Sequence, residues 1–234
     1  MIDFGGKRSL VTGATRGIGY SIAERLATAG SMVTICGRTS RAAEDAAQRL
    51  SDATGGDVRG TVCDVSDENA VRDMMGMALD WMGGLDILVN NAGVGPMGPV
   101  GELPTEQWRE TIGVNLTGAY YCCHYGIPAL RAAQGEIVNI ASRSSINVHS
   151  GGGAYCASKF GLLGLSEVLT IELRPDVRVQ CVMPGRVSTD FAGEQPADWH
   201  IAPDDVAQCV IDILSIPRRT SVTRVELRPT RPPY

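Results

Sequence analysis

The sequence predicts an α/β domain built on one doubly wound, mostly parallel sheet of seven strands with helices on both faces. Three observations predict it. Short Val/Ile/Leu-rich runs alternate with longer stretches of helical periodicity along the whole chain. Several runs are continuously apolar rather than alternating, as strands covered on both faces must be. Glycine and small polar residues collect where the runs end, at "TGATRGIG", "CGR", "CDV", "NNAG", "ASRSS" and "MPGRVST". In a parallel sheet those ends share one edge, and ligands bind there.

The elements follow in order. "RSLVTG" (8–13) is the first strand, followed by a helix over 17–29. "SMVTICG" (31–37) precedes a helix over 40–53. "DVRGTVCDV" (57–65) leads into a helix over 67–82, with Ser66 as its cap and Asp67 and Glu68 in the first turn. "LDILVNNAG" (85–93) is followed by one long helix over 105–133. "GEIVNIAS" (135–142) is followed by a helix over 154–174. "VRVQCVMPG" (177–185) comes before a helix over 203–214 that opens with Pro203 and two aspartates. "SVTRVELRP" (221–229) is the seventh strand. No linker, repeat or composition break interrupts the series, so residues 1–234 are expected to form a single binding and catalytic domain.

Bulk composition narrows the functional classes. The 234 residues are 44% hydrophobic and 20% charged, enough to bury a sizeable core. The net charge of -5 supplies no basic field for nucleic acid, and Arg218, Arg219, Arg224, Arg228 and Arg231 read as a solvated face or tail. No run reaches the roughly 18 apolar residues of a membrane span, and the N-terminus lacks a secretory apolar segment. The seven cysteines are scattered without CxxC spacing, so reduced thiols, no metal site and a cytoplasmic location are expected.

"TGATRGIG" closes the first strand and opens the first helix. Gly13, Gly17 and Gly19 allow a tight turn and close backbone approach, with Thr15, Arg16 and Ile18 between them. The helix N-terminus then presents N–H groups to a pyrophosphate, in the manner of a Rossmann-type dinucleotide site, although a ligand-free glycine turn has the same letters. At the end of the second run an acid would hold ribose hydroxyls; here Cys36-Gly37-Arg38 offers a base instead. Arg38 and Arg16 suit a 2′-phosphate, so NADP(H) is expected rather than NAD(H). Asp64 is placed to accept from the adenine amino group, with the backbone of Val65 beside the ring.

Tyr155 and Lys159 in "AYCASK" stand four apart, hence on one helix face. A cation there would ease ionisation of a phenol whose ordinary pKa is about 10. Alone, the pair is also what a polar helix surface looks like. Ser142 ends the fifth run, where its hydroxyl can hold a substrate oxygen. Asn115 falls inside the long helix, an unfavourable position for asparagine that invites a specific role, such as bending the helix or holding a water beside Lys159.

Taken together, these motifs resemble the short-chain dehydrogenase/reductase family over essentially the whole chain. "TGxxxGxG" matches Thr12 to Gly19, and "NNAG" matches Asn90 to Gly93. The tetrad matches Asn115, Ser142, Tyr155 and Lys159, and the "PG" turn matches Pro184, Gly185 and Thr189. The resemblance implies interconversion of a carbonyl and a secondary alcohol, with Tyr155 as acid/base and Lys159 lowering its pKa and holding the nicotinamide ribose. It further implies that Ser142 orients the substrate oxygen and Asn115 holds a relay water. Asn91, Ala92 and Gly93 would line the cofactor groove, with Val187 and Thr189 fixing the carboxamide. It also implies a homotetramer or homodimer built on helices 105–133 and 154–174.

Within the family the chain is similar to the NADP(H)-preferring, 3-oxoacyl-reductase-like members, with two departures. The segment "DFAGEQPADWHIA" is shorter than the helical lid of many relatives, which suggests an open site or a small substrate with Phe191 and Trp199 as apolar contacts. The last strand runs into "RPTRPPY" without the glycine pair that often ends it in relatives, which sets the chain apart from the common 3-oxoacyl-thioester reductases. Arg143 is a candidate for meeting an anionic group, and Asn147 and His149 for facing substrate. A 3-oxoacyl thioester is the first substrate candidate. The alternatives are a small 3-hydroxy acid, sugar or ketone or, in another class, an NADP(H)-binding sensor without catalysis.

Overall fold

Seven strands share one sheet in the computed structural model, which describes residues 2–191 and 197–231. They are β1 (Arg8–Val11), β2 (Met32–Gly37), β3 (Val58–Val62), β4 (Ile87–Asn90), β5 (Glu136–Ile140), β6 (Arg178–Pro184) and β7 (Arg224–Leu227). Their order is β3-β2-β1-β4-β5-β6-β7, and all six pairings are parallel. The strand direction of winding reverses between β1 and β4, which opens a crevice at their carboxyl ends.

The helices are α1 (Gly17–Thr28), α2 (Ser40–Thr54), α3 (Glu68–Met82), α4 (Thr105–Ile112), α5 (Gly118–Ala133), α6 (Gly153–Glu172) and α7 (Pro203–Leu214). Alternate strand residues point into two cores. Val11, Val33, Ile35 and Val138 meet Ile22, Leu26, Leu50 and Val210 of α1, α2 and α7. On the other face Leu10, Leu88 and Ile137 meet Met74, Cys122 and Leu169 of α3, α5 and α6. Each fully buried Leu or Ile contributes about 1.5–3 kcal/mol.

At the amino ends of the strands, a polar cluster pins β5 and β6 to the chain after α7. Arg178 Nη2 donates to Glu136 Oε1 at 2.5 Å, and Gln180 Nε2 to Glu136 Oε2 at 2.6 Å. Arg178 Nη1 also reaches the carbonyls of Ile216 and Thr220 at 2.7 and 2.9 Å. Three of the C-terminal arginines are likewise engaged: Arg218 by the Asp176 carbonyl, Arg224 by Glu167 and Arg228 by Glu226. Among the described residues, no helix is long and apolar enough to cross a membrane.

Three details differ from expectation. The cap of α3 is Asp67, whose Oδ1 accepts from Asn69 N and Ala70 N; Ser66 instead donates to Asp64. The first strand stops at Val11, because the Thr12 side chain and Gly13, with φ +62°, already belong to the binding turn. The expected single helix 105–133 is interrupted by a π turn, Gly113–Thr117, closed by a bond from Gly118 N to the Gly113 carbonyl. The half before it, α4, packs on α6, and the half after it, α5, packs on α3. Residues 192–196 of the expected short lid and 232–234 of the proline-rich tail lie outside the described residues.

Candidate active site

A cleft of about 1030 Å³ runs along the carboxyl ends of the strands. Of the residues expected to form the site, all but Gly19, Asn115 and Trp199 line it. Gly19 and Asn115 act from behind. A Cβ at Gly19 would lie 2.3 Å from Asn91 Nδ2, so only glycine lets α1 settle against the β4 end. Asn91 uses that closeness to donate to the carbonyls of Thr12 and Gly13 at 2.9 and 3.0 Å. Thr12 Oγ1 in turn accepts from Asn91 N and Ala92 N. The two strand ends that flank the crevice are thereby tied together.

The α1 end of the cleft has the chemistry of a phosphate site. The N-cap of α1, Arg16, provides no side-chain hydrogen bond to the first-turn N–H groups. These donors and the helix dipole therefore face the cleft. Gly13 leaves no room for a Cβ, which would sit 2.7 Å from Ala92 Cα. Arg16 reaches Asp190 at 3.4 Å and Arg38 reaches Glu110 at 3.9 Å, both as well-exposed pairs. Such pairs are weak, so either guanidinium can turn to an incoming phosphate. One carboxylate oxygen of Asp64 accepts from Ser66 N and Oγ at 2.9 and 2.7 Å. Val187 pairs with Ile201 in a short parallel bridge, and Thr189 N donates back to the Val187 carbonyl. The methyl of Thr189 would lie 3.3 Å from a Cβ at Gly17, closing the turn over α1.

Ser142, Tyr155 and Lys159 meet at the other end. Ser142 caps a short 3-10 turn, Arg143–Ser145, by accepting from Ser144 N at 3.1 Å. Lys159 is buried, with Nζ donating to the Ile140 carbonyl at 2.9 Å and lying 5.8 Å from the Tyr155 ring centre. Burial lowers its pKa to about 8. Burial also raises the Tyr155 phenol above its ordinary value, while a hydrogen bond from Ser142 acts the other way. The expected lowering by Lys159 is therefore not what sets the phenol in the protein alone: desolvation gives the direction, opposed by the Ser142 hydrogen bond.

Asn115 sits in the π turn and is 1% exposed. Its Oδ1 accepts from Val94 N at 2.8 Å, and Nδ2 donates to the Val94 carbonyl at 2.8 Å and to Ser158 Oγ at 3.0 Å. Both amide hydrogens are used, which leaves one oxygen lone pair for water. The expected helix distortion is present, whereas the expected role of its side chain in holding a relay water has little capacity left. The side chain instead joins the loop after β4 to α6.

Among the substrate candidates, Phe191 packs on Tyr155 with ring centres 5.7 Å apart, over Gly95, where a Cβ would meet its ring at 2.6 Å. His149 lies against Gly152 and bonds Ser144 Oγ at 3.4 Å. Asn147 and Arg143 line the same wall. Trp199 does not line the cleft: its ring packs edge-on to His200 and beside Arg186. Sequence reasoning missed Gly95 and Ser158. Ser158, fully buried, accepts from Asn115 and donates to the Tyr155 carbonyl at 2.7 Å, and its only sequence signal was a small residue in "YCASK".

A glycine-lined crevice leading to a Ser–Tyr–Lys cluster on a parallel sheet is the arrangement of an α/β oxidoreductase. Comparison with known families narrows this: the model described as short chain dehydrogenase matches residues 7–199, and the chain belongs to that family. An uncharacterized oxidoreductase of Staphylococcus saprophyticus is 34% identical, over 98% of this chain and 100% of its own. A 3-oxoacyl-[acyl-carrier-protein] reductase of Chlamydia muridarum is 37% identical, over 79% and 75%. Among solved structures, an alcohol dehydrogenase of Thermococcus sibiricus complexed with 5-hydroxy-NADP superposes with a TM-score of 0.91. It is 32% identical, covering 97% of this chain and 99% of that one.

Proposed function

We propose that the protein is an NADP(H)-dependent oxidoreductase that interconverts a carbonyl and a secondary alcohol. The observation that carries this is the convergence of Ser142, Tyr155 and Lys159 on one cleft with the uncapped α1 N-terminus and two weakly paired arginines. Residues 1–234 act as one domain in this reading. NADP(H), when bound, supplies or accepts the hydride. Gly13, Thr15, Gly17 and Ile18 would hold its pyrophosphate, and Arg16 and Arg38 its 2′-phosphate. Asp64 and Val65 would meet the adenine; Asn91, Ala92 and Gly93 would line the groove; Pro184, Gly185, Val187 and Thr189 would meet the nicotinamide end.

The rest is the work of this chain's own side chains. Ser142 holds the substrate oxygen, and Tyr155 gives it a proton in reduction or takes one in oxidation. Lys159, fixed by the Ile140 carbonyl, stabilises the phenolate once the proton has left. Asn115 keeps α6 and the Val94 loop in register so that these groups stay aligned. A 3-oxoacyl thioester, the substrate in the name of the chlamydial relative, is the first substrate to test; the charge at Arg143 favours a small carbonyl acid instead. The exposed apolar side chains Trp108, Tyr120, Phe160, Val168 and Ile171 on α4, α5 and α6 support a homo-oligomer. The free cysteines support a reducing, cytoplasmic setting.

The test is a carbonyl panel followed by NADPH absorbance. Tyr155→Phe is expected to lose turnover by at least about 1000-fold while NADPH binding, read by fluorescence, stays within about twofold. Retained turnover would overturn the assignment, and binding of NADPH without turnover by the unmodified protein would favour a sensor.

A further inference from the structure

We propose that Arg143 is a binding site for a carboxylate on the substrate, so that the enzyme acts on short carbonyl acids and the corresponding hydroxy acids. This rests on the carbonyl–alcohol reading above and names its substrate class. Arg143 directly follows Ser142 and lines the same cleft. Its stem is held against Gly185, where a Cβ would come within 3.4 Å of Arg143 Cδ and 3.2 Å of the Leu227 carbonyl. Nε donates to Glu226 Oε1 at 2.8 Å, from β7 on the far side of β6.

That contact orients the guanidinium without neutralising it. Glu226 is already gripped by Arg228, whose Nε and Nη2 donate to Oε1 and Oε2 at 2.7 and 3.0 Å. Two guanidinium groups thus share one carboxylate, and one positive charge is left over. Among the described residues, no hydrogen bond engages Arg143 Nη1 or Nη2, and the side chain is 37% exposed. Among the described residues, the carboxylates that line the cleft are Asp64 and Asp190, the first bonded to Ser66 and the second paired with Arg16. Neither answers Arg143.

A planar donor edge, already oriented and carrying unbalanced charge beside the oxygen-holding serine, fits a carboxylate through parallel N–H···O bonds. Fixing the stem in advance reduces the ordering cost of binding. A neutral ketone or an ester would leave those donors facing an uncharged group.

The test uses the full chain with NADPH and two matched substrates, a short 3-oxo carboxylate and its methyl ester. The unmodified protein is expected to favour the acid by roughly 10- to 100-fold in kcat/KM, the worth of one charge-assisted interaction. Arg143→Met, which keeps most of the stem, is expected to erase that preference mainly through KM. It should leave the ester and the NADPH affinity within about twofold. Arg143→Lys should restore part of the preference, and serves if the methionine variant does not fold. Turnover of the ester and other neutral carbonyls with no preference for the acid would sink this inference and leave the carbonyl-reductase reading standing. Loss of NADPH affinity in Arg143→Met would assign the arginine to the cofactor, also against it. NADPH oxidation with no member of the panel would end both.

Discussion

Lys159 should make the protein less stable than it could be, and the size of that effect follows from its burial. The folded-state pKa is about 8 against an ordinary 10.5. A gap of about 2.5 pH units at about 1.36 kcal/mol each makes burial of the charged form unfavourable by about 3 kcal/mol. Replacing Lys159 by methionine removes that term but leaves the Ile140 carbonyl without its donor, an offset of about 1 kcal/mol. Lys159→Met is therefore expected to be more stable than the parent by about 2 kcal/mol at pH 7. The sign with pH is definite. Because the folded pKa is depressed, the unfolded chain binds more protons between about 8 and 10.5, so the lysine's contribution to stability rises with pH across that window. Below about 8 the unfavourable term is present in full; above 10.5 it is gone. Urea unfolding of both proteins from pH 6.5 to 10.5, with unchanged m values, reads the difference, and other groups titrating in the window cancel between them. A methionine variant no more stable at pH 7, or a gap that does not shrink with pH, would refute the reasoning.

Two further outcomes are expected. Gly13→Ala places a Cβ 2.7 Å from Ala92 Cα at φ +62°, so stability should fall by at least about 1–2 kcal/mol and NADPH affinity by at least tenfold; thermal melts and fluorescence titration check this. Arg178→Met leaves the buried Glu136 carboxylate with Gln180 as its remaining side-chain partner. Urea unfolding should show a loss of about 3–5 kcal/mol, while NADPH affinity, set at the opposite edge of the sheet, stays unchanged.

The centre of the sheet was legible because β4, β5 and β6 are buried on both faces, so their apolar runs could be read without knowing their neighbours. The ends were less so. "RSLVTG" looks like six strand residues, yet the pairing of Thr12 with Asn91 and Ala92, nearly eighty residues away, decides that the strand stops at Val11. The cap at Asp67 rather than Ser66 was settled by Asp64, which takes the Ser66 hydroxyl for itself. Tyr155, Lys159 and Ser142 were legible from spacing and position. The reason Lys159 is held where it is, the Ile140 carbonyl, is backbone and carries no letter. Arg143 shows the same limit: its residue type suggested an anion, but the partner that orients it stands 83 residues on.

The π turn at Gly113–Thr117 has a consequence for how the chain can change length. An α-helix advances about 100° per residue, so one extra residue in the turn rotates everything after it by that amount relative to everything before. The backbone of α4 can then run beside α6 while the apolar face of α5 meets α3, although the two helices are nearly continuous. The segment works as a phase shifter between two packing surfaces. Substitutions within it alter one contact at a time. Deleting a single residue would turn the apolar face of α5 away from α3 or swing Asn115 away from Val94, so the spacing here is as constrained as the asparagine itself.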